Sequence, residues 1–142
     1  MTFRIIYSSA SSTPMQLDDL EDILEQAQAN NPAQRITGAL VYADGFFLQI
    51  LEGEKTRVED LMQIIAKDLR HEHLRVLYAG DVWAPAFSDW SMAYVSATPE
   101  QVARWAGLSG TTELPEVWED IRHNPEKAAQ LTESILDVLM KE

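Results

Sequence analysis

The sequence predicts an α+β fold, a mixed five-stranded sheet with two helices on one face and a C-terminal helical extension covering the other. Three observations lead there. Strand-like runs at Phe3–Ser8, Ile36–Tyr42 and Phe46–Glu52 are interrupted by stretches whose apolar residues recur at helical spacing. Asp44-Gly45 lies between two of those runs, and both residues tolerate the positive φ of a tight hairpin turn. Beyond residue 97 only helical spacing remains, including a stripe able to cover a sheet.

Taken in order, Phe3, Ile5 and Tyr7 share one face of the first strand. Thr13-Pro14-Met15-Gln16 reads as an N-cap, a proline at the first helical position and a capping-box glutamine. Leu17, Leu20, Ile23, Leu24 and Ala27 then predict an amphipathic helix ending near Asn30, stopped by Asn31-Pro32, with the acidic cluster Asp18 to Glu25 on its solvated face. In the hairpin, Phe47, Gln49 and Leu51 face one way and Phe46, Leu48 and Ile50 the other. Thr56-Arg57-Val58-Glu59 predicts a second capping box, opening a helix that runs to about Asp68 on Val58, Leu61, Met62 and Ile65. Leu74–Trp83 and Trp90–Val95 complete the strands, with Trp90, Met92 and Tyr94 expected on one face. Short connections and right-handed crossovers arrange this order as a ferredoxin-like layer. Thr98-Pro99-Glu100-Gln101 opens a short helix through Trp105, Pro115–Ile121 forms another, and Asn124-Pro125 starts a longer one striped by Ala128, Leu131, Ile135, Val138 and Leu139. Gly107 to Thr112 reads as a break between them.

Composition narrows the function. With 23 acidic against 11 basic residues the net charge is -12, which opposes nucleic acid and anionic membrane surfaces. No cysteine is present, so disulfides, thiolate metal sites and cysteinyl adducts are excluded, and a cytoplasmic location is expected. The N-terminal apolar run is too short for a signal peptide. His71, His73 and His123 form no helical metal-ligand pair, and no glycine-rich phosphate loop occurs. His71 and His73 flank the end of the second helix, where a capping role suits a cationic ring as well as a ligand role does.

What remains is Gln49, an amide in the middle of Phe46-Phe47-Leu48-Gln49-Ile50-Leu51. Left unpaired in a core it would cost roughly 1–3 kcal/mol, so it needs a partner. If the first and third strands are neighbours, the Tyr7 phenol reaches it on the helix-facing side. Ile23, Phe47 and Ile65 would then either wall a slot for a flat aromatic ligand, with Asn31 at its edge, or simply fill the core.

Tyr7-Ser8-Ser9, Asn30-Asn31-Pro32 with Ile36-Thr37-Gly38 and Tyr42, Phe47-Leu48-Gln49-Ile50-Leu51-Glu52-Gly53, Asp68-Leu69-Arg70-His71 and Trp90-Ser91-Met92 together resemble the BLUF domains, blue-light sensors using FAD. The resemblance covers about residues 1–97 and leaves 98–142 as the helical extension. It implies that Tyr7 is the electron and proton donor to the excited flavin, that Gln49 is the switching amide and that Asn31 holds the flavin's carbonyl edge. Ile23, Phe47 and Ile65 would pack on the ring system. Asn30, Asp68, Arg70 and His71 would meet the rest of the cofactor, which is FAD, with FMN or riboflavin also admissible. Trp90 and Met92 match a pair of which one member lies beside the glutamine.

The implied protein is not an enzyme: it passes a light signal to a downstream protein or through a homo-oligomer. The alternatives are a light-insensitive ferredoxin-like module binding a ligand or protein, and a flavin oxidoreductase, for which no nicotinamide motif is visible.

Overall fold

Alternation sends Phe47 and Leu51 to one face of the strand Phe46–Gly53 and Phe46, Leu48 and Ile50 to the other, so the sheet needs covering twice. The computed structural model describes residues 1–11, 17–68, 71–108 and 113–141. The element order is β1 (Thr2–Ser11), α1 (Leu17–Gln34), β2 (Thr37–Ala43), β3 (Phe46–Gly53), α2 (Lys55–Ala66), β4 (His71–Val82), β5 (Ala93–Ser96), α3 (Pro99–Trp105), α4 (Leu114–His123) and α5 (Pro125–Met140). The sheet order is β4-β1-β3-β2-β5. Neighbours are antiparallel except β2 and β5, which run parallel. This is the mixed α+β sheet expected from the sequence.

On the helix side, Phe3, Ile5, Tyr7, Leu40, Phe47 and Leu51 pack with Leu20 of α1 and with Val58 and Met62 of α2. On the other side, Ile6, Val41, Leu48 and Ile50 pack against Val102, Val117, Trp118, Leu131 and Ile135 of the C-terminal helices. Trp118 is 4% exposed and meets Phe46 edge-on, with centroids 6.5 Å apart. It is sheet cover, and each such large apolar side chain contributes roughly 1.5–3 kcal/mol by leaving water.

The hairpin is the predicted one. Asp44 (φ 46) and Gly45 (φ 83) form its two-residue turn, and Ala43 pairs with Phe46. The capping box at Thr98 forms as predicted, with Gln101 N donating to Thr98 Oγ1 and Thr98 N donating to Gln101 Oε1. The capping box expected over Thr13–Gln16 lies outside the described residues.

Strand β1 runs on to Ser11 rather than ending at Ser8, and four further features differ from the sequence expectation. Helix α1 is not stopped by Asn31-Pro32 but continues to Gln34. Pro32 forfeits only one amide near the helix end, and the termination is made by Arg35 at φ 56, with Arg35 N donating to Pro32 O (3.1 Å) and Ile36 N to Asn31 O (3.0 Å). Helix α2 begins after Glu54, not at Thr56, and Glu54 caps without a side-chain bond. Strand β4 begins at His71, not Leu74; it carries register shifts against β1 and a positive φ at His73, and such bulges erase the alternation that marks a strand in sequence.

The fourth difference concerns Trp90. Regular strand geometry starts only at Ala93, and the chain crosses from the tail side at Phe87 to the helix side at Met92. Trp90 therefore packs with the tail-side core, while Met92 and Tyr94 lie on the helix side; the three do not share a face.

That crossing segment is anchored by Glu52, which is 0% exposed. Its carboxylate accepts from Arg4 Nε (3.0 Å) and Nη2 (2.8 Å), Ala86 N (2.8 Å), Phe87 N (2.9 Å) and Thr37 Oγ1 (3.3 Å). A buried charge is tolerated when it is this fully bonded. Among the described residues, no helix is long and apolar enough to cross a membrane.

Glu52→Ala strips the Arg4 guanidinium and two backbone amides of their acceptor. The expected cost is about 3–5 kcal/mol, read as a lower urea midpoint, while Glu52→Gln, which retains a carbonyl acceptor, should lose less.

Candidate functional site

Tyr7 and Gln49 stand directly opposite one another on neighbouring strands, both pointing to the helix side. The Tyr7 hydroxyl donates to Gln49 Oε1. The other end of the amide is also engaged, Nε2 donating to Met92 Sδ at 3.5 Å. Gln49 is 7% exposed and Met92 2%, so the amide is held at both ends in a largely dry setting. Burial, and after it the Asp68 carboxylate, push the Tyr7 phenol far above the ordinary tyrosine range. Both effects oppose a phenolate, so Tyr7 is a neutral O–H donor.

A cavity of ≈ 170 Å³ opens beside this pair, between α1 and α2. Its apolar walls come from Ile23 and Ala27 of α1, Leu61, Ile64 and Ile65 of α2, and Leu40 and Phe47 of the sheet. Its polar rim comes from Tyr7, Ser9, Gln26, Asn30, Asn31, Gln49, Asp68 and His71. Helical spacing explains the walls: Ile23 and Ala27 are one turn apart on α1, as Leu61 and Ile65 are on α2.

Asn31 occupies the last turn of α1, 2% exposed, and its Nδ2 donates to Ser91 O at 2.8 Å. His71 has both ring nitrogens engaged, Nδ1 with Ser9 Oγ (2.9 Å) and Nε2 with Ile65 O (2.6 Å). It therefore ties β1 and β4 to the end of α2, the capping role considered from sequence, while also facing the cavity. His73 is exposed and faces Glu72. Among the described residues, no group of His, Cys, Asp or Glu could hold a metal ion.

The structure thus brings together Tyr7, Ile23, Asn30, Asn31, Phe47, Gln49, Ile65, Asp68 and His71 around one cavity. Met92 does not line it but bonds to Gln49, which does; Trp90 packs with the opposite core; and Arg70 lies outside the described residues. Sequence reading missed Ser9, Gln26, Ala27, Leu40, Leu61 and Ile64. Ser9 could have been found two residues beyond Tyr7 on the same strand face, Gln26, Ala27 and Leu61 by stepping one turn from Ile23 and Ile65, and Ile64 one turn on from Leu61.

The family model for BLUF, sensors of blue-light using FAD, matches residues 2–93. The chain belongs to the BLUF family. Residues 2–93 are accordingly a blue-light sensor domain of the kind that uses FAD. Among its relatives, the photoactivated adenylate cyclase subunit beta of Euglena gracilis is 33% identical over 105 residues, covering 73% of this chain and 12% of that protein. The subunit alpha is also 33% identical, over 104 residues, or 73% of this chain and 10% of the relative. The chain thus spans only about an eighth or less of these relatives.

Among solved structures, the dark state of BlrB, a BLUF protein, matches at 25% identity with a TM-score of 0.76, covering 96% of each chain. The ground state of BlsA matches at 36% identity with a TM-score of 0.70, covering 80% of this chain and 78% of that one.

The cavity suits the BLUF cofactor on its own chemistry: apolar walls admit a ring system, and side-chain amides in the lining can meet a carbonyl-bearing edge.

The neutral Tyr7 gives a testable titration. Because its folded-state value is raised, its contribution to stability is complete below pH ~10, where an unfolded tyrosine begins to ionise, and is lost as pH climbs toward the folded value. Phenolate absorbance should therefore show a tyrosine that ionises only as the protein unfolds in alkali, and Tyr7→Phe should remove that late step.

Proposed function

We propose that light sensing in this chain works by a change of bonding at Gln49, with Tyr7 as the group that starts it and Met92 as the group that registers it. The observation that carries this reading is the continuous path from the Tyr7 hydroxyl through both ends of the Gln49 amide to Met92, beside the cavity that Tyr7 and Gln49 line. Bound flavin supplies blue absorption and, once excited, a strong one-electron oxidant.

A buried neutral phenol that loses an electron becomes strongly acidic, and the atom already accepting its hydrogen bond is Gln49 Oε1. Gln49 is a primary amide with a donor end and an acceptor end, so rotation or tautomerisation changes what it offers to Tyr7, to Met92 and to the cavity. Each neutral hydrogen bond nets only about 1 kcal/mol, so the two arrangements differ little and interconvert reversibly. Ile23, Phe47 and Ile65 would hold the ring system, Asn31 its carbonyl edge, and Asn30, Asp68, Arg70 and His71 the remainder of FAD.

The output route begins at Met92, which leads directly into β5 and then α3. Residues 98–142 act as a helical extension that carries the change to a downstream protein or a second copy. The cyclase relatives named as photoactivated support such a coupling of the sensor to a separate activity. We assign no catalysis to this chain.

The purified protein should be yellow, and blue light should shift its flavin absorbance reversibly to the red. Tyr7→Phe and, separately, Gln49→Leu should retain flavin and lose the shift. A colourless protein that refuses added FAD would favour a light-insensitive binding module, and a normal photocycle in either variant would sink the Tyr7–Gln49 route.

A further inference from the structure

Gln28 belongs to none of the groups that line the cavity, yet it reaches the switch from outside. It lies one turn before Asn31 on the same face of α1 and is exposed to solvent overall. Its Nε2 donates to Met92 O at 3.1 Å. Asn31 Nδ2 donates to Ser91 O at 2.8 Å, and Gly38 N donates to Trp90 O at 3.2 Å. Three consecutive carbonyls of the segment entering β5 are thus held by donors from other elements. The Gln28 bond falls on the residue whose sulfur accepts from Gln49.

We propose that Gln28 is a positioning residue of the photoswitch: it fixes the Met92 backbone so that the thioether stands ready for the Gln49 amide, and so speeds the return of the dark arrangement after light. The proposal rests on the reading of Gln49 as the switching amide. The physical argument is preorganisation. When the amide turns back it must find its sulfur acceptor, and an acceptor pinned in place costs less ordering than one that wanders. Because Gln28 is exposed, replacing it takes little from the core.

The test uses the full chain loaded with FAD and follows decay of the red-shifted absorbance in darkness after a blue pulse. Gln28→Glu keeps the shape of the side chain but removes the donor. Gln28→Leu removes all polarity, and Gln28→Lys restores a donor. Glu25→Leu, on the exposed side of α1, is the control.

Glu and Leu at position 28 should slow recovery about fivefold, the ratio for one neutral hydrogen bond. They should also shift the light-minus-dark infrared band of the Gln49 carbonyl, while Lys and the control stay within about twofold of the parent rate. Recovery of the Glu and Leu variants at the parent rate or faster overturns the proposal, as does a Lys variant as slow as Leu. If Gln49→Leu abolishes the red shift while the Gln28 variants behave as the parent, the positioning role alone fails. A Gln49→Leu protein that still shifts overturns the switch reading and this proposal with it.

Discussion

The register between β1 and β3 is the constraint on which the rest of the molecule depends. It sets Tyr7 opposite Gln49, Ile5 opposite Leu51 and Arg4 opposite Glu52. A slip of one residue would turn Gln49 toward the C-terminal helices and Leu48 toward the cavity, because side chains alternate with a period of two. Two features far apart on the strands hold the register. At one end Ser11 of β1 donates through N (2.9 Å) and Oγ (3.1 Å) to Gly45 O in the turn that opens β3; at the other the Arg4–Glu52 pair is buried and cross-linked to the backbone of Ala86 and Phe87. Between these anchors, the odd-numbered residues have one face to occupy and the even-numbered another.

The same register makes Gln49 affordable. Its run of apolar neighbours makes the strand a core strand, and an unpaired amide there would be a net loss. A phenol on one side and a thioether on the other turn the liability into a two-ended, bonded amide with modest energy in each bond. Weak bonds suit the reversible switch proposed for Gln49. A charge at that point, paired as firmly as Glu52 is, would hold one arrangement and leave no second one near it in energy.

Much of the architecture was legible because it rests on local chemistry. The hairpin follows from two residues able to take positive φ, the start of α3 from Thr98 and Gln101 satisfying each other's backbone, and the two-faced sheet from strict alternation. Three of the misread boundaries depend on partners distant in sequence. Arg35 takes a left-handed conformation to end α1, an assignment that residue type alone gives to glycine or asparagine, and it does so because Ile36 is drawn into the core at 1% exposure. His71 joins a strand whose bulges follow the needs of β1. Trp90 leaves the face of Met92 because the segment before β5 crosses from one side of the sheet to the other, tied at Ala86 and Phe87 and again at Ser91.

The candidate site divides along the same line. Which residue types stand at Tyr7, Asn31, Phe47 and Gln49, and the family they resemble, were properties of the sequence, since motif order and spacing survive without coordinates. That Tyr7 and Gln49 touch, that Met92 rather than Trp90 receives the other end of the amide, and that Gln28 and Asn31 hold the backbone at Met92 and Ser91 were decided only in the tertiary structure. These are contacts between elements, separated by 42, 43, 64 and 60 residues along the chain. Local propensity carries no information about partners at that range; packing the two helices and the crossing segment onto a sheet of fixed register brings them together.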